Sequence, residues 1–317
     1  MHNECKEVKD KMTNILKKFT KQILPLFLVM FISLSIAFIL PSCTQSDKKN
    51  SKIKVVTSFF PVYVAALNIT DGVDNIELLN LTPYSTGCLH DYQLTTADIK
   101  ILKDSTLFIA NGNKMESFIE KVITNHPNLN IKYASENIET QSSDPHIWTS
   151  ISLYIDYVAN ITNYFKEADP SNTSKYDENF EKYKAKLLDL NSSIKEGFSN
   201  LKTHNIVIFS EAFSYFANEF GLNILINSEH EHDFAHSADE IEEIIHVIED
   251  NNVKALFAEI NYSDSMVNTI VSQTGLTLYT LDPLTANAHE DYANDIKNYY
   301  LNGMKNNADI IKSALSK

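Results

Sequence analysis

Between Asp169 and Lys202 the stretch DPSNTSKYDENFEKYKAKLLDLNSSIKEGFSNLK spaces its apolar residues by three or four throughout. Tyr176, Phe180, Tyr183, Leu187, Leu190, Ile194, Phe198 and Leu201 therefore line one face of a single helix. Ser171 to Thr173, following Pro170, offer the cap. About 30 helical residues extend roughly 45 Å. A helix of that length in mid-chain acts as a stiff connector between whatever lies on its two sides, or packs inside one continuous domain.

Both flanks carry the same rhythm. Before the helix, KIKVVTSFFPVYVAALNI reads as a strand and a helix, NIELLNL as a second strand, STLFIANG (105–112) as a third and LNIKYA (129–134) as a fourth, with the helical TTADIKILKD between the second and third. After it come NIVIFS (205–210), LNILI (222–226), VKALFAEI (253–260) and LTLYTLDPL (276–284), separated by helical patterns such as SADEIEEIIHVIEDN. Short apolar runs alternating with helices predict βα units and parallel sheets. The expected class is α/β: two βα lobes with parallel central sheets, 53–168 and 204–317, joined by one long rigid backbone helix over 169–203.

The N-terminus stands apart. Lys17, Lys18 and Lys21 precede the apolar run Ile23 to Leu40, and LPSC (Leu40 to Cys43) precedes a polar stretch. This is the layout of a secretory signal, 1–42, with Cys43 as the lipidated first residue and 43–52 as a tether. Pro41 is a mild departure from a lipobox, and an uncleaved single-span anchor is the alternative. Residues 1–11 bring acids unwelcome in a signal, so translation is open to a start at Met12. Removing 1–42 takes six of the 27 lysines and three of the 41 acids, leaving a net charge near −17. Cys5 lies before the signal and Cys43 would carry lipid, so Cys88 has no intramolecular disulfide partner.

Every basic residue other than histidine is lysine; arginine is absent, and the formal charge is −14. Nucleic-acid binding is disfavoured on both counts. An acidic balance suits cation handling, or simple solubility.

Four candidate ligands fall at or just beyond predicted strand ends: His90 in STGCLHDYQL, His146 in SSDPHIWTS, Glu211 in IFSEAFSYF and Asp282 in YTLDPLTAN. Ligands of open α/β sheets gather at such ends. Two come from each lobe, so a cleft between the lobes could collect all four.

These stretches, with the DPSN…Y entry to the long helix, SEAFSYFANEFGL, LFAEINYS and LDPL, resemble the metal-binding lipoproteins of bacterial ABC importers for zinc and manganese, the cluster A-I (cluster 9) solute-binding proteins. The resemblance covers about residues 53–317. It implies two βα lobes bridged by a rigid helix, an ABC permease as partner, and one divalent ion as cargo held by His90, His146, Glu211 and Asp282. Two departures stand out: TGCLH replaces the usual lead-in to the first histidine, and TSI follows DPHIW where Leu-Asp-Pro is commoner. At the third position zinc-type members commonly carry His and manganese-type members Glu. Two imidazoles with two carboxylates form a harder, oxygen-richer site, which favours manganese over zinc, with iron a third candidate.

Other residues receive weaker readings. His230, His232 and His236 among acids could collect ions loosely, though a solvated loop explains them as well. Cys88 could offer a soft ligand but reads better as a capping or buried thiol. Glu259 reads as a support near the site and Trp148 as packing for the His146 loop. A metal-dependent hydrolase is the alternative class, but no H-E-x-x-H, G-x-S-x-G or P-loop motif occurs. A surface adhesin with a structural metal is a third. The expected molecule is a monomeric, non-enzymatic receptor on the outer face of the cell membrane, anchored there through Cys43.

Overall fold

The computed structural model describes residues 10–18, 52–83, 92–140, 144–227, 237–260, 265–285 and 295–316. Residues 10–18 form a short exposed helix belonging to a separate unit, Met1–Ser51. Cys43, Cys88, His90 and His230 to His236 lie outside the described residues, as does the apolar run Ile23 to Leu40. Among the described residues no helix is long and apolar enough to cross a membrane.

The remainder holds eight strands in two four-stranded sheets, one for each group of apolar runs in the sequence. The first contains β1 (Ile53–Thr57), β2 (Ile76–Asn80), β3 (Leu107–Ala110) and β4 (Ile131–Tyr133) in the order β2-β1-β3-β4. The second contains β5 (Asn205–Phe209), β6 (Asn223–Asn227), β7 (Leu256–Glu259) and β8 (Leu278–Leu281) in the equivalent order β6-β5-β7-β8. Every pairing is parallel. In chain order the helices are α1 (Phe60–Ile69), α2 (Thr96–Lys103), α3 (Glu120–Asn125), α4 (Ile151–Ala168), α5 (Thr173–Phe198), α6 (Ser214–Phe220), α7 (Ala238–Asp250), α8 (Ser265–Thr274) and α9 (Tyr299–Leu315).

Successive strand residues face opposite ways, and the core follows that alternation. Val55 and Ile109 of the first sheet and Ile206 and Ile208 of the second face one continuous apolar core with α4, α5 and α9. Their neighbours Val56, Phe108 and Ala110 face a smaller outer cluster, and Val207 and Phe209 another. The central core therefore runs unbroken from one sheet to the other through the helices between them.

The long helix α5 has 26 residues, about 39 Å. Tyr176, Tyr183, Leu187, Ile194 and Phe198 are buried along it as the spacing requires. Asn179 and Asn191 share that buried seam, where apolar spacing gave no sign of them. Asn179 is tolerated because its Nδ2 donates to the carbonyls of Ile69 (2.8 Å) and Asp71 (2.9 Å), which would otherwise be left unsatisfied near the end of α1. The expected Ser171–Thr173 cap takes another form. Residues Pro170–Asn172 make a 3-10 turn, and the N-cap Asn172 forms no side-chain cap bond.

Asp169 organises that corner instead. It accepts from Ser171 Oγ (2.5 Å), Asn172 Nδ2 (2.7 Å), Tyr176 Oη (2.8 Å) and Asn75 Nδ2 (3.0 Å). Burial acts to raise its carboxyl pKa, yet these donors prevail and hold it at about 2.

Candidate metal centre

Both sheets reverse strand order around their second strand in space, and the carboxyl ends beside such a reversal form the crevice of an open α/β sheet. Glu211 and Asp282 closely follow the ends of β5 and β8, while His146 lies well beyond β4 and is brought to the turn after β3 by the Asn111 bond to the Pro145 carbonyl.

His146 precedes a 3-10 turn, Ile147–Thr149, that leads into α4. Asp144 Oδ1 accepts both the His146 backbone N–H (2.9 Å) and ring Nδ1 (2.7 Å). That bond assigns the ring proton to Nδ1 and the lone pair to Nε2, the atom an imidazole so held offers a metal. The ring lies 5.1 Å from that of Trp148, which is fully buried.

Donors from two directions hold the Asp144–Pro145 backbone. After β3, the residues Gly112, Asn113 and Lys114 all have positive φ (87°, 51° and 67°). A Cβ at Gly112 would lie 2.5 Å from Ser135 Oγ, so this tight turn needs glycine. The turn aims Asn111 Nδ2 at the Pro145 carbonyl (3.1 Å) and Asn113 Nδ2 at the Asp144 carbonyl (2.6 Å). Behind it, buried Glu116 accepts the backbone N–H groups of Asn111 (2.6 Å) and Gly112 (3.0 Å). Burial pushes its carboxyl pKa up despite those bonds. From the second lobe, Tyr215 Oη also donates to the Asp144 carbonyl (3.0 Å).

Asp282 follows β8 and is buried. Its Oδ1 accepts the Leu284 backbone N–H (2.7 Å) and its Oδ2 the Tyr299 hydroxyl (2.9 Å). Asn307 of α9 fixes its backbone twice, accepting from its N–H (2.9 Å) and donating to its carbonyl (2.7 Å). Leu284 lies against Gly303 of α9, so closely that a Cβ there would sit 2.2 Å from its Cδ2. Trp148 Nε1 donates to the Pro283 carbonyl (2.8 Å), tying the Asp282 turn to the residues after His146.

Glu211 opens a 3-10 turn, Glu211–Phe213, between β5 and α6, and is exposed. Ser210 caps that turn by accepting from the Ala212 N–H (3.1 Å), and donates its own hydroxyl to Glu259 Oε1 (2.5 Å). Glu259 thus supports the residue preceding Glu211.

The structure joins the backbones that carry His146, Glu211 and Asp282 through the Tyr215 and Trp148 bonds. Among the described residues no group of three or more His, Cys, Asp or Glu side chains is placed to hold a metal ion. His90 falls outside them, but the chain beyond it is pinned. Asp98 Oδ2 accepts from the Thr95 N–H (2.8 Å) and the Tyr92 hydroxyl (2.9 Å) in the capping box of α2. Sequence reasoning missed Asp144, Asn111, Asn113, Tyr215 and Asn307. Only Asp144, two residues before a candidate ligand in DPH, left a local sign.

Two parallel βα lobes, a rigid helix between them and strand-end turns that meet define a two-lobed solute-binding protein. Residues 55–314 match the family described as ZnuA, zinc-uptake complex component A, periplasmic, and the chain belongs to this family of metal-binding solute-binding proteins of bacterial zinc and manganese ABC importers. It is 26% identical over 292 residues to the high-affinity zinc uptake system protein ZnuA of Bacillus subtilis (strain 168), covering 86% of this chain and 90% of that one. It is 25% identical over 311 residues to the manganese ABC transporter substrate-binding lipoprotein PsaA of Streptococcus mitis, covering 91% and 97%. The structure of the metal-dependent lipoprotein YcdH of Bacillus subtilis superposes with a TM-score of 0.72 at 27% identity, over 84% of this chain and all of that one. The family binds solutes and is not enzymatic, which sets aside metal-dependent hydrolysis. Its members divide between zinc and manganese.

Proposed function

We propose that this chain captures one divalent transition-metal ion between lobes 53–168 and 204–317, with His90, His146, Glu211 and Asp282 as ligands, and delivers it to an ABC permease. Manganese is favoured over zinc, with iron third. The chain works from the outer face of the membrane, anchored through Cys43. The observation that carries this reading is the hydrogen bonding that ties the His146 segment both to the Asp282 turn, through Trp148, and to α6, the helix following the Glu211 turn, through Tyr215.

The donor chemistry supports the metal assignment. Two carboxylates neutralise a divalent cation, and their oxygens permit coordination numbers above four, which suits manganese better than zinc. Fixed-site affinity still runs in favour of zinc, so Glu211 concerns the ion carried productively. The acidic chain draws cations toward the cleft, and release requires the permease to spoil the ligand geometry. The histidines at 230, 232 and 236 serve at most as loose collectors beside this site.

Purified protein lacking residues 1–42 should retain close to one ion per chain by elemental analysis after metal loading and dialysis. Unchanged stoichiometry in a His90→Ala, Asp282→Ala double variant would sink the proposal. Competition uptake with manganese, zinc and iron decides the cargo.

A further inference from the structure

Glu211 and His146 come from different sheets, so something must fix their separation before an ion arrives. Helix α6 starts at the end of the Glu211 turn and stops at Gly221, whose φ of 69° ends it. Tyr215 and Glu219 lie one turn apart on this helix and share a face. Both reach into residues 144–152 of the first lobe. Tyr215 holds the Asp144 carbonyl, two residues before His146. Glu219 accepts from Ser150 Oγ (2.6 Å), Ser152 Oγ (2.5 Å) and the Ser152 N–H (3.2 Å).

Ser150 is the N-cap of α4, accepting from the Leu153 N–H (3.2 Å) while its hydroxyl proton goes to Glu219. A carboxylate from the opposite lobe therefore completes the start of the helix that follows His146, where the helix dipole favours negative charge. The long helix braces the same carboxylate: Asn191 Nδ2 donates to Glu219 Oε1, and Lys195 Nζ lies 3.8 Å from it. The Glu219 side chain is only 6% exposed. Burial acts to raise its pKa, but the Ser150, Ser152 and Asn191 bonds prevail and keep it below the ordinary value.

We propose that Glu219 is a positioning residue for metal capture: it locks α6 to the start of α4 and thereby sets the Glu211 to His146 spacing. The inference rests on the ligand assignment above. Glu219→Gln keeps the shape but turns one acceptor into a donor facing serine and asparagine donors. A cavity of about 320 Å³ lined by Ser152, Lys195, Tyr215 and Glu219 leaves room for adjustment, so this variant should fold.

The test compares manganese and zinc affinity and dissociation rate in the wild type, Glu219→Gln, Ser152→Ala and Asp169→Asn. Asp169 is a similarly bonded carboxylate at the opposite end of α4. Glu219→Gln should weaken affinity and speed dissociation ~10- to 100-fold, the range seen when groups behind metal ligands are removed. Ser152→Ala should shift both less, in the same direction. Asp169→Asn should lower the melting temperature without changing the dissociation rate. Wild-type dissociation kinetics in Glu219→Gln, or equal kinetic effects in Glu219→Gln and Asp169→Asn, would overturn the positioning role. If the wild type itself binds no metal, the failure lies with the ligand assignment.

Discussion

The two carboxylates proposed as ligands in the second lobe differ in how the fold treats them. Asp282 is buried, with donors on both oxygens and its backbone clamped by Asn307. Glu211 is exposed on a 3-10 turn that is held from behind by Ser210 and Glu259. Asp282 is therefore part of the scaffold as well as a candidate ligand, whereas Glu211 can change with little effect on folding. On the ligand assignment proposed above, the difference separates two expected roles: Asp282 would organise the site and Glu211 would tune which ion it prefers.

The strongest challenge to that division is Asp282→Ala. It should reduce metal affinity about 100-fold or more, and removing the carboxylate that accepts from the Tyr299 hydroxyl and the Leu284 N–H should cost a further ~1–3 kcal/mol of stability. Calorimetric binding together with denaturant melting reads both. A stability loss without an affinity loss would reduce Asp282 to scaffold alone. Tyr299→Phe is the milder version, removing one donor to Oδ2. It should cost ~1 kcal/mol and weaken binding about tenfold.

Much of the scaffold was legible in the sequence because its signals are local. Eight apolar runs became eight strands, and the spacing of Tyr176, Tyr183, Leu187, Ile194 and Phe198 gave the long helix its buried face. The supports of the site were not legible because they are long-range and polar. Glu219 in YFANEFGL reads as an ordinary surface acid until Ser150 and Ser152, about 70 residues earlier, are seen to point at it. Asn191 sits on an apolar seam for the same hidden reason. Helix α4 hides its role in tyrosines, Tyr154, Tyr157 and Tyr164, whose rings pack while their hydroxyls find backbone or side-chain acceptors.

Asp169 supplies a reference for a carboxylate that is scaffold only. Its folded pKa of about 2 lies below the ordinary 3.8, so the stability it contributes is fully present above pH 3.8 and is lost as pH falls toward 2. In Asp169→Asn the protein should melt earlier at neutral pH, and the acid-side decline between those values should flatten. Metal affinity at pH 7 should stay at the wild-type level. If it fell as in Asp282→Ala, stability and binding could not be separated and the comparison between the two ligand carboxylates would lose its force.

The smallest effect on folding, and the sharpest on selectivity, belongs to Glu211→His. An exposed side chain with no structural burden should leave stability within ~0.5 kcal/mol. Exchanging an oxygen donor for an imidazole removes one negative charge and a bidentate option, which penalises manganese, and supplies a donor that zinc accepts readily. The zinc-to-manganese affinity ratio should therefore rise by about tenfold or more, measured by competition titration with both ions on the same preparation. Manganese uptake should fall in a strain that carries the variant. An unchanged ratio would place the choice of metal elsewhere in the donor set, and Glu211 would then be an acid at the start of a helical turn, favourable to the local dipole and without a role in selection.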